Sequence, residues 1–459
     1  MNAMADKPQL FGTDGVRGVA GQFPLDRETI FKLGRALGIV LQKHVAARPL
    51  RVVLGEDTRE SSAWISQTMA AGLRSSSVEV AYAGVITTPG VAFLTLRHGF
   101  AGGVMVSASH NPYQDNGIKL LSDSGMKLSE SLELDIEASL AEFRAAIPDK
   151  ATEAEIDPVP QLLDDYLEFL VGLFPSAPQF SKFRLVADCG NGSASRVAPR
   201  LLRRLGIEAR ILNSDADGQN INLECGSLHP NHMAEATRES AADLGVAFDG
   251  DADRAIFSTR EGRIVDGDYV LYTVATFFQQ RGILKGGAVV GTLMTNFGLE
   301  LALGRHGINL KRTAVGDKYV LEEMRRSGIN LGGEPSGHVI FSDISLAGDG
   351  IITLLQILRV LVESGKSFSE IVSPLRPFPQ MIRNVRVRER RPLESIPEVN
   401  HAVSEFRREV GSRGRVVVRY SGTEPLARVM VEAEEAGLVE RHAGVIAGAI
   451  ESALGLAGS

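Results

Sequence analysis

Three stretches of the chain share one pattern, a run of β-branched and other apolar residues that stops at a small polar loop: RVVLGEDTR (51–59), RLVADCGNGSA (184–194) and AVVGTLMTN (288–296). Runs of this length and make-up fit buried strands, each ending in a βα loop. Helical periodicity follows over residues 61–74, 198–205 and 299–306. Strands that alternate with helices predict largely parallel sheets with both faces covered, here in three related α/β units. The repetition is weak residue by residue, so common α/β physics accounts for it nearly as well as duplication does.

Two breaks interrupt the pattern. Residues 147–161 place three prolines among acidic side chains, and residues 373–380 read SPLRPFPQ. Neither can continue a helix or a central strand. A further boundary falls shortly after Arg254. Past the second break the pattern becomes a strand at 384–388, a charged helix at 397–410, strands at 415–420 and 427–433, and a closing helix at 438–454. That is a small α+β domain.

Composition agrees with several globular domains. A length of 459 residues, 44% hydrophobic and 23% charged, fits three or four domains rather than a disordered or fibrous chain. The net charge of -7 opposes attraction to nucleic acid. Residues 1–7 are polar, without the apolar core of a signal peptide, and the apolar stretch 270–278 is too short to span a bilayer. The expected setting is the cytoplasm, with no membrane partner. Cys189 and Cys225 are too few for a disulfide framework or a four-cysteine zinc site and read as buried, reduced thiols.

Candidate chemistry begins with FDGDADR (248–254), which follows the apolar run 244–248. In an extended chain Asp249, Asp251 and Asp253 project to one side, with Gly250 and Ala252 on the other. Three carboxylates repel one another unless a cation neutralises them, and hard oxygen ligands favour Mg²⁺ or Ca²⁺. An EF-hand would need Gly and Glu where Arg254 and Arg260 stand. A solvated acidic turn is the bland alternative, weakened by the apolar strand that leads in.

Four further loops carry polar groups in suggestive order. VSASHNPYQDNGIK (106–119) sets Ser109 and His110 in turn chemistry at a strand end, a nucleophile or merely a hydrogen-bonded turn. LGGEPSGHV (331–339) holds Glu334, Ser336 and His338 among glycines and suits sugar hydroxyls, with an ordinary loop as its equal rival. RYSGTEPLAR (419–428) offers hydroxyls, backbone N–H groups and guanidinium to a phosphate, or is a turn beside a surface arginine. FGTDGVRG (11–18) puts Arg17 in a glycine-rich loop, to steady a phosphoryl group or to face solvent.

Taken in order, FGTDGVRG, SASHNP, FDGDADR, GGEPSGH and RYSGTEP closely resemble the α-D-phosphohexomutase superfamily. GQNINLECGSLHP (218–230), GTLMTNFGLE (291–300), AVGDKYVLEEM (314–324) and SGTEPLARVMVE (421–432) resemble its bacterial phosphoglucosamine mutase branch. The resemblance implies an α/β fold of four domains around a central cleft, three of related topology with mixed sheets and a smaller α+β domain at the C-terminus. Residues 1–155 would carry a phosphoserine loop, 156–256 a metal-binding loop, 257–373 a sugar-binding loop and 374–459 a phosphate-binding loop.

By the same resemblance Ser109 is the serine phosphorylated in the active enzyme, and its phosphate completes a Mg²⁺ shell of Asp249, Asp251 and Asp253. Arg17 and His110 would lie near the reacting phosphate, and Arg254, a substrate-binding residue, beside the metal loop. Lys119 and His338 would move protons at the sugar oxygen, and Glu334 and Ser336 would hold hydroxyls. Arg419, Ser421, Gly422, Thr423 and Arg428 would bind the remote phosphate. The implied activity interconverts glucosamine 6-phosphate and glucosamine 1-phosphate through a sugar 1,6-bisphosphate, feeding UDP-N-acetylglucosamine and cell-wall synthesis. A homodimer and a hinge near 373–380 are implied as well. Two positions depart from the branch: Pro335 stands for the usual Gln, and Ala252 for a Gly of the metal loop. A phosphomannomutase/phosphoglucomutase, a silent sugar-phosphate-binding regulator and a simple phosphatase are the alternatives; Ser109, Lys119 and three aspartates together argue against the regulator, which needs no phosphoryl donor.

Overall fold

The computed structural model describes residues 10–12, 14–46, 49–143, 154–174, 183–421 and 425–455. The polar start at 1–7, part of the 147–161 break, and Gly422 and Thr423 lie outside the described residues.

Each of the three apolar runs becomes a central strand with a parallel partner on both sides. Arg51–Glu56 lies between Glu79–Val85 and Gly102–Val106. Arg184–Asp188 lies between Glu208–Leu212 and Leu244–Phe248, and Ala288–Thr292 between Asn309–Thr313 and Leu331–Gly333. The last-named strand of each trio then turns back antiparallel, into Asp115–Ser122, Ala255–Thr259 and Val339–Phe341 respectively. Strand order and pairing sense are thus the same three times, which bears out three related units. The sheets are mixed rather than simply parallel, because a hairpin closes each trio.

Helices Ser62–Ser75, Ala194–Arg204 and Phe297–Gly304 follow the central strands. The second starts earlier than its periodicity suggests. Pro199, which would suit a first turn, instead lies inside the helix, while buried Val197, Ala198 and Leu201 hold that face against the core.

The fourth domain is an antiparallel sheet in which Leu426–Ala433 runs between Gln380–Arg386 and Gly414–Tyr420. Helices Pro397–Val410 and Ala436–Leu454 accompany it. Val429, Val431, Phe406 and Ile446 form a core of its own. By contrast, one continuous core runs from Val91 and Leu94 of the first domain through Leu167 and Val246 of the second to Leu271 and Leu355 of the third. Three domains are therefore fused by apolar packing while the fourth is packed separately. None of the described helices is long and apolar enough to cross a membrane.

A polar pin crosses the shared core. Tyr166 Oη, fully buried, donates to Asp349 Oδ2 at 2.6 Å, and Asp349 caps helix Gly350–Ser364 by accepting from Ile351 N and Ile352 N at 2.8 and 2.9 Å. Burial raises the Asp349 pKa to about 6 against the pull of these donors. Tyr166→Phe leaves a buried carboxylate short of one donor. It is expected to lower stability by about 1–3 kcal/mol, read from urea unfolding.

Candidate active site

The hairpin that closes each trio of strands carries the chemistry. Ser109 follows Gly102–Val106, the three aspartates follow Leu244–Phe248, and Glu334, Ser336 and His338 follow Leu331–Gly333. A shared topology therefore sets three different loops at the same position in three sheets. Asp253 and His338 line a cleft of about 530 Å³ together with Thr88, Lys119, Lys127 and Asp317, and the Ser109 loop adjoins the aspartates through the hydrogen bond of Ser109 to Asp249.

Ser109 sits at φ 53°, in left-handed backbone that a non-glycine residue seldom adopts. Its surroundings over-determine that conformation. Ser109 N donates to Ser107 Oγ at 2.9 Å, and its carbonyl accepts from Arg59 Nη2 and Asn222 Nδ2, each at 2.9 Å. Buried Arg59, paired with Asp57 at 2.9 Å, also donates to the carbonyls of Asn111 and Pro112 at 2.9 and 2.6 Å. One guanidinium thus pins three carbonyls of the loop. Ser109 Oγ is left to donate to Asp249 Oδ2 at 2.6 Å, with His110 Nδ1 at 3.5 Å.

The aspartates converge for a reason other than the alternation of an extended chain. Residues 249–254 form a turn, in which Ala252 N donates to Asp249 O at 3.0 Å and Ala252 takes φ 56°. Positive φ is the physical reason a glycine would suit this place. The alanine costs roughly 1 kcal/mol of backbone strain, while its methyl lies in the apolar core and not among the carboxylates. One oxygen from each aspartate lies within 4.8 Å of the others. Asp251 Oδ2 is taken by Lys119 Nζ at 2.7 Å and by Thr88 Oγ1. Asp251 Oδ1 and Asp253 Oδ1 are buried and accept no hydrogen bond from the described residues. Buried, unpaired carboxylate oxygens in one cluster fit a hard divalent cation.

Around this cluster runs a closed circuit of alternating charge. Lys119 Nζ lies 3.1 Å from Asp14, Asp14 2.7 Å from Lys127, and Lys127 2.7 Å from Asp317. Asp317 lies 3.9 Å from His338, His338 3.6 Å from Asp253, and Asp253 3.7 Å from Lys119. Burial opposes charge on Lys119, but Asp14, Asp251 and Asp253 hold its pKa above the ordinary value. Burial likewise opposes charge on His338, and Asp253, Asp317 and Glu334 prevail, raising its pKa to about 9. His110 goes the other way: burial, then Arg254 and Arg17, lowers its pKa to about 4. Two histidines at one centre thus carry different charges at neutral pH.

Arg17 pairs with Asp14, and Arg254 donates its backbone N–H to Asp249 Oδ1 at 3.2 Å with its Nε 3.7 Å from Asp253. In the sugar loop Gly337 N donates to Glu334 O at 3.1 Å, closing a four-residue turn with Pro335 in second place. Proline is favoured there, since its fixed φ suits the turn and no N–H is needed. Pro335 therefore fits the loop. Glu334 Oε1 accepts from Gly316 N at 3.0 Å, and Ser336 Oγ is buried without a hydrogen-bond partner among the described residues. In the fourth domain Arg419 stands directly opposite Arg428, a like-charge pair that an anion would relieve. Ser421 N closes their loop by donating to Leu426 O at 2.8 Å; among the described residues the cleft lining includes none of this domain.

Sequence reasoning left Asp14, Arg59, Thr88, Lys127, Asn222 and Asp317 without roles. Four of them lie within quoted segments, Asp14 in FGTDGVRG, Arg59 in RVVLGEDTR, Asn222 in GQNINLECGSLHP and Asp317 in AVGDKYVLEEM. Arg59→Lys keeps the charge and loses the fork that reaches three carbonyls. Steady-state kinetics are expected to show kcat lowered roughly 10- to 100-fold, the loss of one or two charge-assisted hydrogen bonds, with KM little changed.

The chain matches four family models in succession: phosphoglucomutase/phosphomannomutase alpha/beta/alpha domain I over residues 8–146, domain II over 164–262, domain III over 266–378 and the C-terminal domain over 383–449. A phosphoglucosamine mutase of Koribacter versatilis is 50% identical over 98% of this chain and 99% of its own length. One from Solibacter usitatus is 46% identical over 97% and 99%. Among solved structures, a phosphoglucomutase/phosphomannomutase family protein of Burkholderia thailandensis has TM-score 0.79 at 24% identity, covering 97% of this chain and 99% of that one. Aspergillus fumigatus N-acetylphosphoglucosamine mutase, solved with GlcNAc-6P and magnesium, has TM-score 0.67 at 20% identity, covering 97% and 96%. The same fold, the same four segments in the same order and full-length relatives sharing up to half their residues make this chain a member of the α-D-phosphohexomutase superfamily, in its phosphoglucosamine mutase branch.

Proposed function

We propose that the chain interconverts glucosamine 6-phosphate and glucosamine 1-phosphate by passing a phosphoryl group to and from Ser109. The observation that carries this reading is the hydrogen bond from Ser109 Oγ to Asp249, inside a buried cluster of three carboxylates. A serine hydroxyl beside such a cluster is an oxygen whose phosphate would share the cation the aspartates attract.

Phospho-Ser109 is the donor. Its P–O bond breaks as the free sugar hydroxyl forms a new one, giving the 1,6-bisphosphate, and after the sugar turns end for end the other phosphate returns to Ser109. Asp249, Asp251 and Asp253 would hold Mg²⁺, which supplies neutralisation of the phosphoryl charge. Arg17 and Arg254 add positive charge near the transferring group. Lys119 or His338, cationic at rest, donates a proton to the Ser109 oxygen as its P–O bond breaks and, left neutral, takes the proton that the attacking sugar hydroxyl gives up, so that the charge of the pair is restored after each transfer. Glu334 and Ser336 orient the sugar hydroxyls, and the proline turn between them keeps that pair in place before the sugar arrives. Arg419 and Arg428, with Ser421, Gly422 and Thr423, hold whichever phosphate is not reacting.

The names of the full-length relatives favour the amino sugar over glucose or mannose. Comparing kcat/KM for glucosamine, glucose and mannose phosphates, each with Mg²⁺ and a trace of sugar bisphosphate, tests that choice; glucosamine phosphate is expected to lead. Ser109→Ala should abolish turnover, and intact-mass spectrometry should show the loss of one phosphate. Chelation should silence the wild-type enzyme and Mg²⁺ restore it. Asp251→Asn should lower kcat by roughly 10²–10³, the size seen when one group that stabilises a developing charge is removed. A Ser109→Ala protein that still turns over would sink the mechanism.

A further inference from the structure

The loops that end the three central strands have parallel duties. In the first domain the loop holds Arg59, which pins the Ser109 carbonyl. In the second it holds Asn191, whose side chain donates to Asn220 O at 3.3 Å, in the segment that also presents Asn222 to Ser109. In the third it is residues 292–296, TLMTN, part of a branch-like motif to which the proposed chemistry gives no task. Its contacts run toward the fourth domain.

Asn296 caps helix Phe297–Gly304 by accepting from Gly298 N at 2.8 Å. The same amide engages both main-chain groups of Phe378: Nδ2 donates to Phe378 O at 3.0 Å, and Phe378 N donates to Oδ1 at 2.8 Å. Phe378 belongs to SPLRPFPQ, the connector to the separately packed domain. The fit is close, since the rings of Phe297 and Phe378 meet edge-on at 5.6 Å and a Cβ on Gly298 would come within 2.2 Å of Arg376 O. Beside it, buried Glu432 of the fourth domain's central strand accepts from Phe297 N at 3.3 Å and from Arg415 at 2.8 and 2.6 Å. Arg415 also reaches Thr295 O at 3.0 Å. One loop therefore grips the connector and the sheet together.

The other side of Asn296 leads to the sugar loop. Asn296 N donates to Asp268 Oδ2 at 2.8 Å, and Asp268 is buried in the first turn of helix Gly267–Gln280. The preceding Gly267 N donates to Pro335 O at 3.1 Å, with no room for a side chain: a Cβ there would stand 1.9 Å from Glu334 O. A cavity of about 80 Å³ between Asp268, Asn296, Pro335, Pro377 and Gln380 gives this joint space to shift.

We propose that Asn296 is a positioning residue that latches the fourth domain onto the third and ties the latch, through Asp268 and Gly267, to the loop proposed to read the sugar. Its role in turnover rests on the proposed mutase reading, because a mutase must keep its bisphosphate while the sugar turns. Arg419 and Arg428 can retain the remote phosphate only while their domain stays seated.

Asn296→Asp keeps the acceptor for Gly298 N and Phe378 N and replaces the donor to Phe378 O with an oxygen that repels it. Asn296→Ser keeps a helix cap and gives up both connector bonds. With no sugar phosphate present, hydrogen exchange at Phe378 N–H should speed up about tenfold or more in Asn296→Ser, as expected for the loss of its acceptor. In turnover of either variant, escape of sugar bisphosphate per cycle should rise about tenfold, while kcat at saturating added bisphosphate stays within about twofold, since no reacting group is touched. Unchanged exchange in folded Asn296→Ser overturns the latch. Faster exchange with unchanged escape overturns its role in retaining the intermediate. A wild-type enzyme inert toward glucosamine phosphates would refute the mutase reading instead, and the exchange measurement, which uses no substrate, still decides the latch.

Discussion

The centre of this molecule is governed by the cost of burying charge. Lys119, Asp251 and His338 are nearly or wholly shielded from water, and an isolated buried ion is prohibitively unstable. Alternation solves the problem: each cation of the circuit touches anions on both sides and each anion touches cations. The members come from three domains, Asp14, Lys119 and Lys127 from the first, Asp253 from the second, Asp317 and His338 from the third. Pairs within the first domain balance Asp14, but the links through Asp253 and Asp317 close the circuit only when the domains lock together, and the shared apolar core supplies that rigidity. Lys119 and His338 face some of the aspartate oxygens, while Asp251 Oδ1 and Asp253 Oδ1 accept no hydrogen bond from the described residues.

Much of this was legible in the sequence, for identifiable reasons. Central strands are buried on both faces and so read as apolar runs, and the charged helix expected at 397–410 of the fourth domain is found at those bounds. The aspartates were legible because neighbours in sequence are neighbours in space. The circuit was not, because Asp14, Lys127 and Asp317 are far apart along the chain and each looks like an ordinary surface charge. The turn at 249–254 was misjudged as extended, since carboxylates at alternate positions fit either shape. At Pro335 the local grammar was decisive, E-P-S-G with Pro second and Gly fourth, a turn signature that a comparison with the usual Gln conceals.

A single hairpin, used three times, presents Ser109, the three aspartates and the turn of Glu334, Ser336 and His338. Its sheet position is the same in each domain, whereas its residues are not, so topology decides where chemistry happens and local sequence decides which. The loops at the ends of the central strands do the supporting work. Arg59 fixes the backbone of the nucleophile, and Asn296 fixes the connector of the remaining domain. That division explains why segments outside the reacting groups carry so much of the family likeness.

Because the circuit draws on three domains, it cannot exist on the ribosome until His338 has emerged. A nascent chain ending before the third domain already has Ser109 and all three aspartates, yet it lacks the imidazole and Asp317 that complete the balance around them. Such a fragment has Lys119 beside the aspartates but not the third-domain charges that close the circuit. Synthesis from the amino end thus delivers Ser109 and the aspartates first and the closing residues last.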